Sequence, residues 1–179
     1  MQRASASANT EKTAPLIVTA VLGDADFRWA DGLRKLHYPA ARNILPAHIS
    51  LFRHLPPSLE PELKDELRKL ARGGRPQARV EGVMLMEQGV AIALKSPDLV
   101  AIWEHLAERF TGLLMPLDQV EPRFHITVQN KVTPQVARAT RVELEAIVTP
   151  RPLVITGLAC WRYMGGPWAP VGSFGFRGQ

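Results

Sequence analysis

The 179-residue sequence predicts an α+β fold of two pseudo-symmetric lobes, each an antiparallel sheet with helices, around a central cleft. Three observations predict it. Short apolar runs of strand length alternate with amphipathic stretches of helical period. The order strand, helix, histidine-bearing strand, helix, strand occurs twice. Matching features of the two passes keep a similar offset: His48 and His125 are 77 residues apart, and the helix-start prolines Pro61 and Pro134 are 73 apart.

In chain order, Leu16 to Leu22 is a continuous apolar run that fits a buried strand, and an amphipathic helix follows from about Asp26 to Leu36. His48 to Phe52 reads as a short strand. Ser58 is expected to cap a helix with Leu59, Leu63, Leu67 and Leu70 on one face, ended by Gly73-Gly74. Ala78 to Met86 is a strand. The second pass opens with a strand at Val90 to Leu94. Ser96-Pro97 is an N-cap with proline at the first helical position, followed by the stripe Leu99, Ile102, Trp103, Leu106 and Phe110. His125 to Val128 is a strand. Thr133-Pro134 caps a helix with Val136, Thr140, Leu144 and Ile147 on one side, and Leu153 to Trp161 is the closing strand. The Gly- and Pro-rich segment from Gly165 to Gln179 yields no assignment. The expected organisation is a disordered tail at 1–14 and one domain at 15–179. Its lobes cover about 15–88 and 89–164, with the boundary near Gln88-Gly89.

Composition narrows the class. Hydrophobic residues make up 46% and charged residues 22%, ordinary for a globular core. No run of about 18 apolar residues is present, so no membrane span is expected. The start lacks the apolar segment of a secretory signal, and a cytoplasmic location is expected. The single cysteine, Cys160, lies in an apolar stretch and reads as a buried, inert thiol. No Cys/His cluster has zinc spacing, so neither a metal nor another cofactor is expected. The net charge of +5 and pI near 9.8 fit a polyanionic partner.

The chemistry is carried by two of the five histidines. His48-Ile49-Ser50-Leu51 and His125-Ile126-Thr127-Val128 share the pattern histidine, apolar, hydroxyl, apolar; His37, His54 and His105 do not. With 15 Ser and Thr in 179 residues, one histidine matches by chance in roughly 2% of cases, and two of five in about 0.4%. Residues i and i+2 of a strand share a face, so His48 projects with Ser50 and His125 with Thr127. Two imidazoles and two hydroxyls facing each other form a cradle for one phosphate. One imidazole takes a proton from water while the other protonates the leaving oxygen. The hydroxyls hydrogen-bond the non-bridging oxygens.

The paired motifs, the repeated layout and the stretch Leu36-His37-Tyr38-Pro39…Leu45-Pro46-Ala47-His48-Ile49-Ser50-Leu51-Phe52 resemble the two-histidine (2H) phosphoesterases, in particular their 2′-5′ RNA ligase-like branch. The resemblance covers about Pro15 to Trp161. It implies metal-independent hydrolysis of a 2′,3′-cyclic phosphate at an RNA end or on a nucleotide, giving a 2′-phosphate. His48 and His125 are then the catalytic pair, with His48 the acid and His125 the base, and Ser50 and Thr127 bind phosphate. A monomer is expected. Competing readings are 2′-5′ ligation of RNA, a non-catalytic RNA- or nucleotide-binding module with the same cradle, and a metalloprotein.

Further substrate contacts are weighed by position. Phe52 and Gln129 share the face of their motif if each strand runs on regularly. Arg123 precedes His125, and Arg53, Arg42 and Lys131 also flank the motifs. Tyr163 and Trp161 lie two apart late in the closing strand, so that one of them lines the cleft. Trp29 and Trp103 occupy helix positions and read as core.

Overall fold

The computed structural model describes residues 13–178. Most of the expected tail lies outside them. Ala14 does not: it is buried, and the next residue, Pro15, accepts a hydrogen bond from the Tyr163 N–H at 2.9 Å.

Seven strands and four α-helices follow one another as β1 (Leu16–Leu22), α1 (Asp24–His37), β2 (Ile49–Leu55), α2 (Glu60–Leu70), β3 (Gln77–Met86), β4 (Gly89–Lys95), α3 (Pro97–Arg109), β5 (His125–Gln129), α4 (Pro134–Glu145), β6 (Arg151–Tyr163) and β7 (Trp168–Gly175). Every pairing is antiparallel, in the order β2-β1-β6-β3-β4-β5, with β7 also on β6. β1 is apolar but for Thr19 because it runs between β2 and β6 with almost every side chain buried. Each fully buried Leu or Phe of this core contributes about 1.5–3 kcal/mol.

The bilobal α+β architecture agrees with the sequence, but the division of the chain does not. β3, from the first half, pairs with β4 and with the start of β6. The later part of β6 pairs with β1. One lobe is therefore β1, β2, β7 and the end of β6; the other is β3, β4, β5 and the start of β6. Thirteen residues make β6 long enough to serve both. A cut at Gln88-Gly89 would pass through the β3–β4 hairpin.

Local capping explains which boundaries hold. The Ser96 hydroxyl accepts from Leu99 N–H at 3.1 Å, and Thr133 caps α4 through Val136 N–H. Ser58 caps nothing: it lies in a 3₁₀ turn, Pro57–Leu59, and α2 begins at Glu60. The buried face of α4 is Ala137, Thr140 and Leu144, while Val136 and Ile147 are exposed. The segment from Gly165 forms a hairpin, with β7 returning along β6. No helix is long and apolar enough to cross a membrane, among the described residues.

Candidate active site

β2 and β5 end the strand path on opposite sides, and the curl of the sheet brings them together. His48 immediately precedes β2 and His125 opens β5. His48, Ser50, His125 and Thr127 are half-buried, whereas Ile49, Leu51, Ile126 and Val128 are in the core. The alternation that the motifs require is present.

Both motif strands carry a β-bulge at the same place. Across β1 the register steps from Thr19↔Ser50 to Val18↔Phe52, leaving Leu51 extra. Across β4 it steps from Ala91↔Thr127 to Val90↔Gln129, leaving Val128 extra. A bulge resets which face the next side chain occupies. Phe52 is therefore fully buried and stacks on Trp103, with centroids 6.3 Å apart. Gln129 is 3% exposed and donates to the Thr140 hydroxyl at 2.8 Å and the His37 carbonyl at 3.3 Å. Neither reaches the cleft, contrary to the expectation from regular alternation. Gly89 seats β5 closely: a Cβ there would lie 1.9 Å from the Gln129 carbonyl oxygen.

The two histidines are held alike. His48 Nδ1 lies 2.8 Å from the Pro46 carbonyl oxygen, and His125 Nδ1 lies 2.6 Å from that of Arg123. A carbonyl only accepts, so each Nδ1–H donates, and each neutral ring keeps Nε2 as its free basic nitrogen. The Ser50 and Thr127 hydroxyls make no hydrogen bond among the described residues.

α1 braces the cradle from behind. Asp31 accepts from the Ala47 N–H at 3.0 Å. Burial pushes its carboxyl up, but Lys35, the Ala47 N–H and Arg34 together hold it below the ordinary range. Arg34, 4% exposed, donates to the Asn43 side chain, the Leu45 carbonyl and the Thr127 carbonyl, each at 2.8 Å. It thereby ties the approach to β2 to β5. Asp118 accepts from the backbone N–H groups of Arg53 and His54.

Burial sets the charge state. His48 is pushed down to about 4, first by burial and then by the charges of Arg34, His125 and Arg53, against the Pro46 carbonyl. His125 is also lowered, by burial and then by Arg53 and Arg123, against the Arg123 carbonyl. Both rings are neutral at pH 7 in the free protein. An anion between them favours proton uptake.

The surroundings break the symmetry of the motifs. Trp168 of β7 packs against His48, with ring centroids 4.7 Å apart and Trp161 beyond it at 6.2 Å. Trp161 donates to the Thr19 hydroxyl at 2.9 Å. These tryptophans, Phe27 and Ile44 line an apolar cavity of about 480 Å³ beside His48. On the other side, Arg53, Arg123 and His125 line a smaller depression of about 280 Å³. Of the paired aromatics, Trp161 lines the cavity, whereas Tyr163 lies outside its walls and pairs with Trp168 at the hairpin end. Arg42 and Lys131 line neither space. Sequence reasoning missed Arg34, Asp31 and Trp168; helix docking and strand pairing bring them to the site, and no local pattern marks them. Cys160 is buried, and burial and then Glu60 push its thiol up to about 12, fitting an inert role. Among the described residues, no group of three or more His, Cys, Asp or Glu is placed to hold a metal ion.

Two lobes share one strand, each presents a histidine and a hydroxyl, and the fold is that of the two-histidine phosphoesterase superfamily. The chain belongs to the 2′-5′ RNA ligase superfamily, whose family model matches residues 22–167. No curated protein matches it in sequence. Among solved structures it is similar to TT0787 of Thermus thermophilus, at 15% identity and TM-score 0.60, covering 92% of this chain and 99% of that one. It is similar to a protein described as a phosphoesterase, at 15% identity and TM-score 0.55, covering 93% and 99%. E. coli LigT complexed with NADP+ matches at 15% identity and TM-score 0.54, covering 92% and 98%.

Proposed function

We propose that this protein is a cytoplasmic, metal-independent phosphodiesterase that hydrolyses 2′,3′-cyclic phosphates of RNA ends or nucleotides to 2′-phosphates. One observation carries the reading: two imidazoles, each pinned through Nδ1 to a carbonyl two residues back, present free Nε2 atoms beside two unbonded hydroxyls. E. coli LigT has been solved with 3′-AMP, ATP and phosphate, which supports a nucleotide phosphate as the ligand class.

His125 Nε2 takes a proton from water as the water oxygen attacks phosphorus. The P–O3′ bond breaks, and protonated His48 gives its Nε2 proton to the departing O3′. The products are a 2′-phosphate and a 3′-hydroxyl, and proton exchange with solvent resets the pair. Ser50 and Thr127 donate to the non-bridging oxygens, each worth about 10²–10³-fold in rate. The tryptophan-lined cavity supports His48 as the acid, because the nucleoside bearing the leaving oxygen has room there. In the free protein His48 resists protonation, so its proton arrives with the anionic substrate.

The test is a panel of 2′,3′-cyclic nucleotides and cyclic-phosphate RNA oligomers, assayed with a strong chelator present. Hydrolysis is expected to survive the chelator. Activity that vanishes and returns with a divalent ion, or no hydrolysis of any substrate, overturns the proposal. His48→Ala and His125→Ala should each cost about 10²–10⁴-fold. A substrate with a very good leaving group should rescue His48→Ala far more than His125→Ala; the reverse order would exchange the two roles.

A further inference from the structure

The cavity beside His48 holds one polar group that neither the fold nor the catalytic pair employs. Trp161, Trp168 and Phe27 give the cavity aromatic walls around a volume of about 480 Å³. Among the described residues, Asp24 and His48 are its only ionisable walls, and no lysine or arginine lines it. The Thr19 hydroxyl, also on the wall, already accepts from Trp161 Nε1 at 2.9 Å. Asp24 opens α1 and is exposed, and its carboxylate makes no hydrogen bond or ion pair among the described residues. The other acid of that helical turn differs. Asp26 is buried, and it holds Arg151 at 2.6 Å and accepts from the Val154 N–H at 2.7 Å.

β1 carries the wall from the reacting centre to this acid. Thr19 lies opposite Ser50, the strand lines the cavity from Thr19 to Leu22, and Asp24 follows two residues on. At about 3.3 Å per residue, Thr19 to Leu22 spans roughly 10 Å. That is the reach of a nucleoside from its phosphate to the outer edge of its base. With the phosphate at His48 and Ser50, a base lying among the tryptophans turns that edge toward Asp24. Aromatic faces accept every base. A carboxylate does not, because it only accepts hydrogen bonds, at two oxygens side by side. Guanine alone among the common bases sets two donors next to each other on its outer edge, the ring N1–H and the exocyclic N2–H. Adenine and cytosine place a ring acceptor beside the amino group, and uracil flanks its one N–H with two carbonyls. Those acceptors would face the carboxylate unpaired.

We propose that Asp24 reads the base of the leaving nucleoside and selects guanine, so that the preferred substrate carries its cyclic phosphate on a guanosine. The inference rests on the phosphodiesterase reading above. Asp24 takes no part in the chemical step; it determines which nucleoside brings its phosphate to the histidines. The absence of any cation from these walls suits an uncharged base. An acid in a first helical turn also complements the helix dipole. That role is blind to the base, so the rate ratio between bases separates the two.

The experiment measures kcat/KM for the 2′,3′-cyclic phosphates of guanosine, inosine, adenosine, cytidine and uridine. Guanosine should lead adenosine, cytidine and uridine by about ten- to a hundredfold, as a bidentate contact to a base edge gives. Inosine, which keeps N1–H but lacks the amino group, should fall between. Asp24→Asn keeps the shape of the side chain and replaces one acceptor by a donor. In that variant, checked by an unchanged melting temperature, the guanosine-to-uridine ratio should fall to about one. Equal kcat/KM for all bases, a lead for another base, inosine matching guanosine, or a guanosine lead that persists in Asp24→Asn would overturn the proposal. If no cyclic phosphate is hydrolysed, the phosphodiesterase reading fails by itself, and binding decides the base site separately. Quenching of tryptophan fluorescence by guanosine 2′-monophosphate and by uridine 2′-monophosphate then gives the two Kd values. Tighter guanosine binding that is lost in Asp24→Asn upholds the base site; equal Kd values in the wild type overturn it.

Discussion

His48 shows how a half-buried side chain acquires its chemistry from what surrounds it. The Pro46 carbonyl fixes the tautomer, Trp168 removes water from one side, and Arg34 and Arg53 supply positive charge. The result is a ring held neutral down to about pH 4, whereas the unfolded chain protonates it near its ordinary 6.5. Between those values the unfolded state binds more protons than the folded one, so stability rises with pH across that window and levels off above it. The rise attributable to His48 should be on the order of 1–3 kcal/mol. Urea denaturation between pH 4 and 7 checks this, and His48→Gln should flatten the curve. Proton NMR of the imidazoles should show both histidines titrating below 6.5 in the free protein and moving up when inorganic phosphate is added. Titration at or above 6.5 without phosphate would contradict the burial of the site. The motif histidines and their hydroxyls were legible in the sequence because their spacing is local. The groups that tune them were not, because Trp168 and Arg34 reach the site only through strand pairing and helix docking.

At the scale of the elements, the two bulges are the informative departure. Regular alternation places Phe52 and Gln129 in the cleft; the extra residues Leu51 and Val128 turn them into the interior. A bulge leaves no signature in apolar residues of this kind, so no reading of the sequence alone would find it. Its consequence is that residues two places after each hydroxyl serve stability. Phe52→Leu should lower stability by about 1–2 kcal/mol through the void left against Trp103. Gln129→Leu removes the donor to the Thr140 hydroxyl and the His37 carbonyl, at about 1–3 kcal/mol. For both variants the kcat/KM of the folded fraction should stay within a factor of a few of wild type; a loss of a hundredfold without change in melting temperature would return these side chains to the substrate. The strand and helix order was legible because burial writes it as period. The partition into lobes was not, since β6 serves both and pairing partners leave no mark in a single chain's order.

Over the whole molecule, the proposed mechanism requires the lobes to keep their distance, because each contributes one histidine and one hydroxyl. β6 joins them along the back of the sheet. Arg34, on α1, also joins them: of its carbonyl contacts, Leu45 lies on the approach to β2 and Thr127 on β5. The guanidinium also lies over the Tyr38 ring, 4.2 Å from the centroid, which holds it in place. Burial pushes Arg34 below its ordinary range, yet that range is far enough above neutrality for the charge to remain. Arg34→Met retains most of the packing and removes the bonds and the charge together. It should destabilise the fold by about 1–3 kcal/mol, since it leaves two part-buried carbonyls without their donor. It should also lower kcat/KM by about ten- to a hundredfold, because an ångström of misplacement is costly in a two-group mechanism. A merely structural role would end there. The electrostatic role adds a signature: with the positive charge gone, the pKa of His48 must rise, so its NMR titration in the variant should move toward 6.5 while His125, lowered by burial and then by Arg53 and Arg123, moves less. Arg34→Lys keeps a charge without the fork and should recover the His48 titration more completely than the rate. If His48 titrates alike in all three proteins, Arg34 acts as a brace alone; if the rate also is unchanged, the lobes are held together by the sheet without it.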